Sequence, residues 1–185
     1  DYRSVGLGVK AYSDSMKPGE AASFAFFDNT PSALRGSGWR LCRTSTSTDD
    51  QDSGENLFPT GWFDTIDRAT DDLTYDATNN KVTVAATGWY QINVVQFGDT
   101  PIYVSGGAAA ALLLVNGAVT QYGAAVPQTT NTGGNGFQAT FNVYLNDGDF
   151  VQPGYWSSWA PLNLLEADAS GARTYWSGVF LGTNK

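Results

Sequence analysis

The 185-residue chain contains no histidine at all. Ser-His-Asp triads, His-ligated zinc and histidine general bases are therefore excluded. Cysteine is nearly absent: Cys42 stands alone, so no internal disulfide can form, and a lone Cys in a chain of this length reads as a small buried hydrophobe. Basic residues are few. Ten Lys and Arg face eighteen Asp and Glu, a net charge of −8 with a pI near 4.2. The cations are scattered singly, whereas phosphate binding needs them clustered, so nucleic acid is not an expected partner. Long apolar runs are missing too. The longest, Ala108 to Val115, is far too short to cross a bilayer as a helix, and membrane insertion is not expected. The chain opens Asp1-Tyr2-Arg3, with neither an initiator Met nor a signal-peptide pattern, so the expectation is a processed or trimmed product, the distal piece of a longer protein.

What is present points one way. Aromatics make up 14% with six Trp, and Gly numbers 21, the composition of a turn-rich β protein. A chain of this length buries roughly 70% of its unfolded surface and needs no staples. Period-2 alternation recurs. In Phe137 to Leu145 one face carries Phe137, Ala139, Phe141, Val143 and Leu145, and the other Gln138, Thr140, Asn142 and Tyr144. Val82 and Val84 face inward in the stretch 81–85, as do Tyr90, Ile92 and Val94 in 89–97. Thr174 to Leu181, Val5 to Tyr12 and Ala22 to Phe27 read as further strands.

Turns punctuate these runs. Asn116-Gly117 marks a tight hairpin because both residues tolerate positive φ. Asn79-Asn80 and Asn146-Asp147-Gly148 are further turns, and Pro153-Gly154 is expected to end or bend the strand that starts near Phe150. Thr44 to Glu55 and Gln128 to Gly136 read as polar loops, and the only helical pattern, Ala160 to Ala169, is cut short by Pro161. Eight or more short strands indicate a sandwich, jelly roll or barrel.

Four elements, in order, carry a resemblance over Tyr75 to Leu181. They are Tyr75-Asp76 with the run Asn80 to Val84 and Thr87 to Val94; Leu113 to Gly117; Leu145 to Val151; and Tyr175 to Leu181 with its aromatic-Ser-Gly core. Together they resemble the globular head shared by complement-type and tumour-necrosis-factor-like (TNF-like) proteins. The resemblance implies an all-β, two-sheet jelly-roll sandwich, a single domain over residues 1–185 with an atypical loop insertion at about 29–61, and assembly as a homotrimer. Gly88 would then begin a strand tightly, Gly148 would occupy a turn, and Gly178 would mark close approach of backbone or ring. Ala108 to Ala111 places small side chains on both faces of one strand, which suits either an interface or a tight core.

Two groups are candidate sites. Tyr155, Trp156 and Trp159 precede Pro161 and are expected on a loop, where exposed rings could stack on a sugar; the competing reading packs them under the loop or at a subunit contact. Trp62, Trp89 and Trp176 read as core or interface. Asp50 and Asp52, with Gly54, have the flavour of a calcium loop, although the spacing departs from the usual pattern and a solvated acidic loop is the plainer reading. Asp64, Asp67, Asp71 and Asp72 are read the same way. No cofactor is otherwise expected. No carboxylate pair is singled out by spacing, and no Ser-x-x-Lys arrangement occurs, so no enzyme is expected. The resemblance also implies where such heads are used: outside animals they cap trimeric fibres of bacteriophage particles and bacterial surface or spore appendages. The expectation is thus a virion-surface structural protein, the trimeric head of a bacteriophage fibre, spike or capsid decoration, with itself and other virion proteins as partners and a host-surface carbohydrate or receptor as ligand. The alternative is a purely structural decoration protein that recognises no host.

Overall fold

The computed structural model describes residues 37–45, 49–98, 107–127, 135–158, 162–164 and 173–183. The strands expected at Val5 to Tyr12 and Ala22 to Phe27 lie outside them, as do most of Ala160 to Ala169 and Gln128 to Gly134. Every regular element among the described residues is a strand, and every pairing is antiparallel.

One sheet has five strands: β1 (Gly38–Cys42), β4 (Thr65–Ala69), β7 (Gly88–Gly98), β11 (Asn135–Leu145) and β14 (Tyr175–Gly182), in the order β11-β7-β14-β1-β4. The other has seven. Its spine is β10 (Val126–Pro127), β8 (Ala108–Val115), β12 (Phe150–Ser157), β6 (Lys81–Thr83) and β5 (Thr74–Asp76). β3 (Gly54–Leu57) joins β12, and β9 (Ala118–Tyr122) joins β8. A two-stranded ribbon pairs β2 (Asp49–Gln51) with β13 (Leu162–Leu164).

The alternation read from the sequence is the alternation of burial. Tyr90, Ile92 and Val94 are fully buried, with Val82, Val84, Phe141 and Leu145 beside them in a core that spans both sheets. Burying each such side chain contributes about 1.5–3 kcal/mol. The Asn116-Gly117 hairpin forms with φ of 52° and 81°, the left-handed pair that suits the twist of two strands joined by two residues. Ala109 and Ala111 belong to the core, as the tight-core reading of that run requires.

Gly178 confirms the expected close approach. It pairs with Trp39 across β14 and β1, and a side chain there would be driven into the Trp39 six-membered ring. That indole, 3% exposed, packs edge-on against Trp176 at 5.2 Å. A second aromatic group, Phe58, Trp62 and Phe63, enters from the segment between β3 and β4. Phe58 sits edge-on to Phe63 at 5.2 Å and to Tyr155 at 5.5 Å.

One expectation is corrected and another narrowed. The region 29–61 is not a loop insertion throughout, since β1, β2 and β3 fall inside it and β1 supplies Trp39 and Leu41 to the core. Five residues flanked by polar segments carry too short an alternation to be recognised by period alone. Of the two outcomes expected at Pro153-Gly154, an end or a bend, the end does not occur: β12 runs to Ser157. On one flank it pairs continuously with β8, where Asn116 N donates to the Phe150 carbonyl and Ser158 N to the Ala108 carbonyl. Even-numbered residues therefore bond towards β8, and Pro153 turns its nitrogen to the other flank. There the register passes from Val151 opposite Val82 to Gly154 opposite Leu57, leaving Pro153 in the seam between β6 and β3 where no ladder bond is required of it.

Candidate interaction face

The pleat that sends Tyr90, Ile92 and Val94 inward sends Trp89, Gln91, Asn93 and Val95 outward. On β11 the outward set is Gln138, Thr140, Asn142 and Tyr144; on β14 it is Tyr175, Ser177, Val179 and Leu181. The register aligns them in rows: Tyr144 beside Trp89, Asn142 beside Gln91 beside Val179, Thr140 beside Asn93 beside Ser177, and Gln138 beside Val95 beside Tyr175. None of these described positions is charged, in a chain that is 15% charged. Charge is depleted and aromatics enriched at the cores of protein interfaces, which makes this face unlike an ordinary solvated one.

One end of the face is apolar. Trp89 is 37% exposed, Val179 38% and Leu181 56%, and Trp89 meets Tyr144 edge-on at 5.6 Å. The middle is amide and hydroxyl. Thr140 Oγ1 donates to Asn93 Oδ1 at 2.7 Å, orienting the Asn93 amide. Two shallow depressions share Asn93. One, of about 270 Å³, is lined by Val95, Gln138, Thr140 and Tyr175; the other, of about 380 Å³, by Arg40, Asp67, Ser177 and Val179. Among the described residues, charge returns at the margins of the face: Arg173 lies 5.2 Å from the ring centre of Phe97, the next outward residue of β7, and a second cation stands at the β1–β4 border. There Arg40 lies 4.5 Å from the Tyr175 ring centre and bonds Asp67 at 2.6 Å. That hydrogen bond, offset in part by burial, raises the Arg40 pKa above its ordinary value. Chemically the face offers hydrogen-bond donors, acceptors and aromatic surface; its outward residues on β7, β11 and β14 include no carboxylate, amine or thiol.

The residues singled out from sequence fall elsewhere. Tyr155 and Trp156 are not on a loop but in β12. Tyr155 points into the core and is fully buried, so its ring cannot meet a sugar; the strand continues past Pro153, and the pleat turns odd-numbered residues inward. Trp156 faces the opposite way, half-buried and paired with Glu55 and Ala110. Trp159 lies outside the described residues. Asp50 is in β2 and its side chain is outside the description, while Asp52 is exposed. Among the described residues no three or more His, Cys, Asp or Glu side chains gather as metal ligands would.

The second acidic stretch has structural work. Asp64 accepts from Thr44 N at 2.8 Å, Thr44 Oγ1 at 2.9 Å, Ser45 N at 2.8 Å and Thr65 Oγ1 at 3.0 Å. Burial pushes its pKa up, but these donors outweigh burial and hold it below the usual carboxylate range. Asp67 pairs with Arg40, and Asp72 accepts from Ser37. This candidate face was missed from sequence. Its signal was present in the alternate residues of 137–145, whose wetter side is polar yet carries no charge.

No protein-family model matches the chain, and no curated protein matches it. Solved structures do. Murine APRIL at pH 5.0 superposes with a TM-score of 0.52 at 15% identity, covering 80% of this chain and all of that one. The same protein at pH 8.5 gives 0.51 at 15% identity, again over 80% and 100%. Eiger TNF from S. frugiperda gives 0.52 at 13% identity over 81% of this chain and 95% of its own. The fold is thus a TNF-like jelly roll, as the four sequence elements implied.

Proposed function

We propose that this chain is a non-enzymatic head domain that assembles as a homotrimer on a virion surface, as part of a phage fibre, spike or capsid decoration. The observation that carries the assembly reading is the uncharged outer face of β11, β7 and β14, with Trp89, Val179 and Leu181 exposed at one end. Covering them with a second copy would remove apolar area from water at about 25 cal/mol per Å². TNF-like heads of the kind the sequence resembles are trimers, which supports three copies rather than two. The virion assignment rests on that resemblance.

In solution the expected mass is about three times the 19.7 kDa chain. A monomer at micromolar concentration overturns the assembly reading. Replacing Val179 and Leu181 with lysine together should give a monomer with an unchanged β-type circular dichroism spectrum, because like charges brought together at an interface oppose association.

The head's task is either host attachment through a surface glycan or receptor, or stabilisation of neighbouring virion subunits with no host recognised. The full burial of Tyr155 favours the second over a sugar site built on that ring. Glycan recognition then depends on Trp156, with Trp159. If Trp156→Ala and Trp159→Ala both leave binding to host cells unchanged, the aromatic site is not the receptor contact.

A further inference from the structure

The end of the sandwich where the β8–β9 hairpin meets the β11–β12 turn contains chemistry that the assembly reading does not use. Asn116 precedes Gly117, the neighbour least able to shield a backbone nitrogen because it has no side chain, and both are exposed. Asparagine in this setting can react with its own chain. The Gly117 nitrogen attacks Asn116 Cγ, and the bond from Cγ to Nδ2 breaks. Ammonia leaves with the proton that the backbone nitrogen loses, and a cyclic imide remains. Water then opens the imide at either carbonyl, to aspartate or to isoaspartate. No oxidant or reductant takes part.

The attack requires the Asn116 amide to swing towards Gly117, and the structure holds it at both ends. Its Nδ2 donates to Asp149 Oδ1 at 2.8 Å, and its Oδ1 accepts from Phe150 N at 3.0 Å. Asn116 N also donates to the Phe150 carbonyl at 2.9 Å. Asp149 is fixed in turn, because its Oδ2 accepts from Asn146 N at 2.7 Å and from Asn146 Nδ2 at 3.2 Å. The donors from Asn116 and Asn146 hold the Asp149 carboxyl below its ordinary pKa, so it remains an anionic acceptor at neutral pH.

We propose that Asn116 is a deamidation site kept latent by Asp149. While the clamp holds, the turn is inert; once it is released, water converts the amide irreversibly. The product cannot re-enter the clamp, because a carboxylate at position 116 would face the Asp149 carboxylate where a donor stood. The isoaspartyl product also lengthens the backbone in a turn that pairs Val115 with Ala118. Either way the hydrogen bond from the side chain at 116 to Asp149 is lost, and the change is written permanently into the chain.

Peptide mapping by mass spectrometry over time in warm neutral buffer tests this on the full chain. Folded wild type should convert Asn116 at least about tenfold more slowly than the urea-unfolded chain and than Asp149→Ala, the ratio that losing a hydrogen bond to a charged group implies. Thr87→Ala removes the acceptor of the Asp147 N–H in the same turn without touching the clamp, and should keep the wild-type rate. The proposal is overturned if folded and unfolded wild type react equally fast, if folded Asp149→Ala matches wild type, or if Thr87→Ala accelerates the reaction as much as Asp149→Ala. Should Asp149→Ala fail to fold, Asp149→Ser is compared in its place and must show the same acceleration.

Discussion

Replacing Gly178 with alanine adds one methyl group, and the structure says where it must go. The new carbon would fall within the Trp39 indole, far inside van der Waals contact with Cη2, Cζ2 and Cζ3. The ring has little room to retreat: it is 3% exposed, its strand is paired on both sides, and Trp176 stands against it edge-on at 5.2 Å. Overpacking of a tight core costs about 1–3 kcal/mol, and a clash with a wedged ring belongs at the upper end, so about 3 kcal/mol is expected. Urea unfolding followed by tryptophan fluorescence, at one fixed protein concentration, measures it. Trp39→Leu alone should also destabilise, by leaving a cavity. In the double variant the smaller side chain accepts the methyl group, so the combined loss should fall short of the sum of the single losses by about 1–3 kcal/mol. A Gly178→Ala protein within about 0.5 kcal/mol of wild type would refute the reasoning, since that is the ordinary scatter of a surface substitution.

Other outcomes follow from the same structure. Asp64 and Asp149 are held below their ordinary pKa in the fold, so their contribution is complete above about pH 4 and is lost as pH falls through the lowered values; acid titration of Asp149→Asn should show a shallower loss of stability over that range. Burial pushes Tyr75 and Tyr90 up to about 12, and their hydroxyls donate to the Phe63 and Ala86 carbonyls. Alkaline absorbance titration should therefore find the Tyr75 and Tyr90 phenols among those that ionise late, with their stabilising contribution intact below about pH 10 and lost as pH rises through 12. Cys42 is 2% exposed and burial raises its thiol pKa, so it should resist alkylation in native buffer and react promptly in urea; fast native labelling would contradict the packing of β1.

How much of this was legible in the sequence depends on the range over which each signal acts. The long strands β7, β11 and β14 announce themselves because several successive pairs of residues alternate, and the Asn116-Gly117 turn because few dipeptides accept two positive φ values. β1 was hidden, since its role depends on partners at Val179 and Ala69 that no local window contains. Pro153 misled for a related reason. A missing N–H matters only if the neighbouring strand asks for it, and the seam on that flank is a property of the sheet rather than of the segment. The aromatic site was misplaced because Tyr155 and Trp156 are adjacent in sequence and opposite in space. The interaction face needed both readings, alternation to choose the residues and register to set them side by side.

The split flank of β12 bears on how copies of this chain can meet. A growing stack of edge-to-edge strands needs a long uninterrupted row of free amides on which to template. β3 offers four residues and β5 only three, with a proline at the join between their two strips. Such borders are poor seeds for fibrous aggregation. Among the described residues, the β3–β5 flank of the seven-stranded sheet is thus a poor template for edge-to-edge growth, which leaves the uncharged face of the other sheet as the surface through which copies would meet.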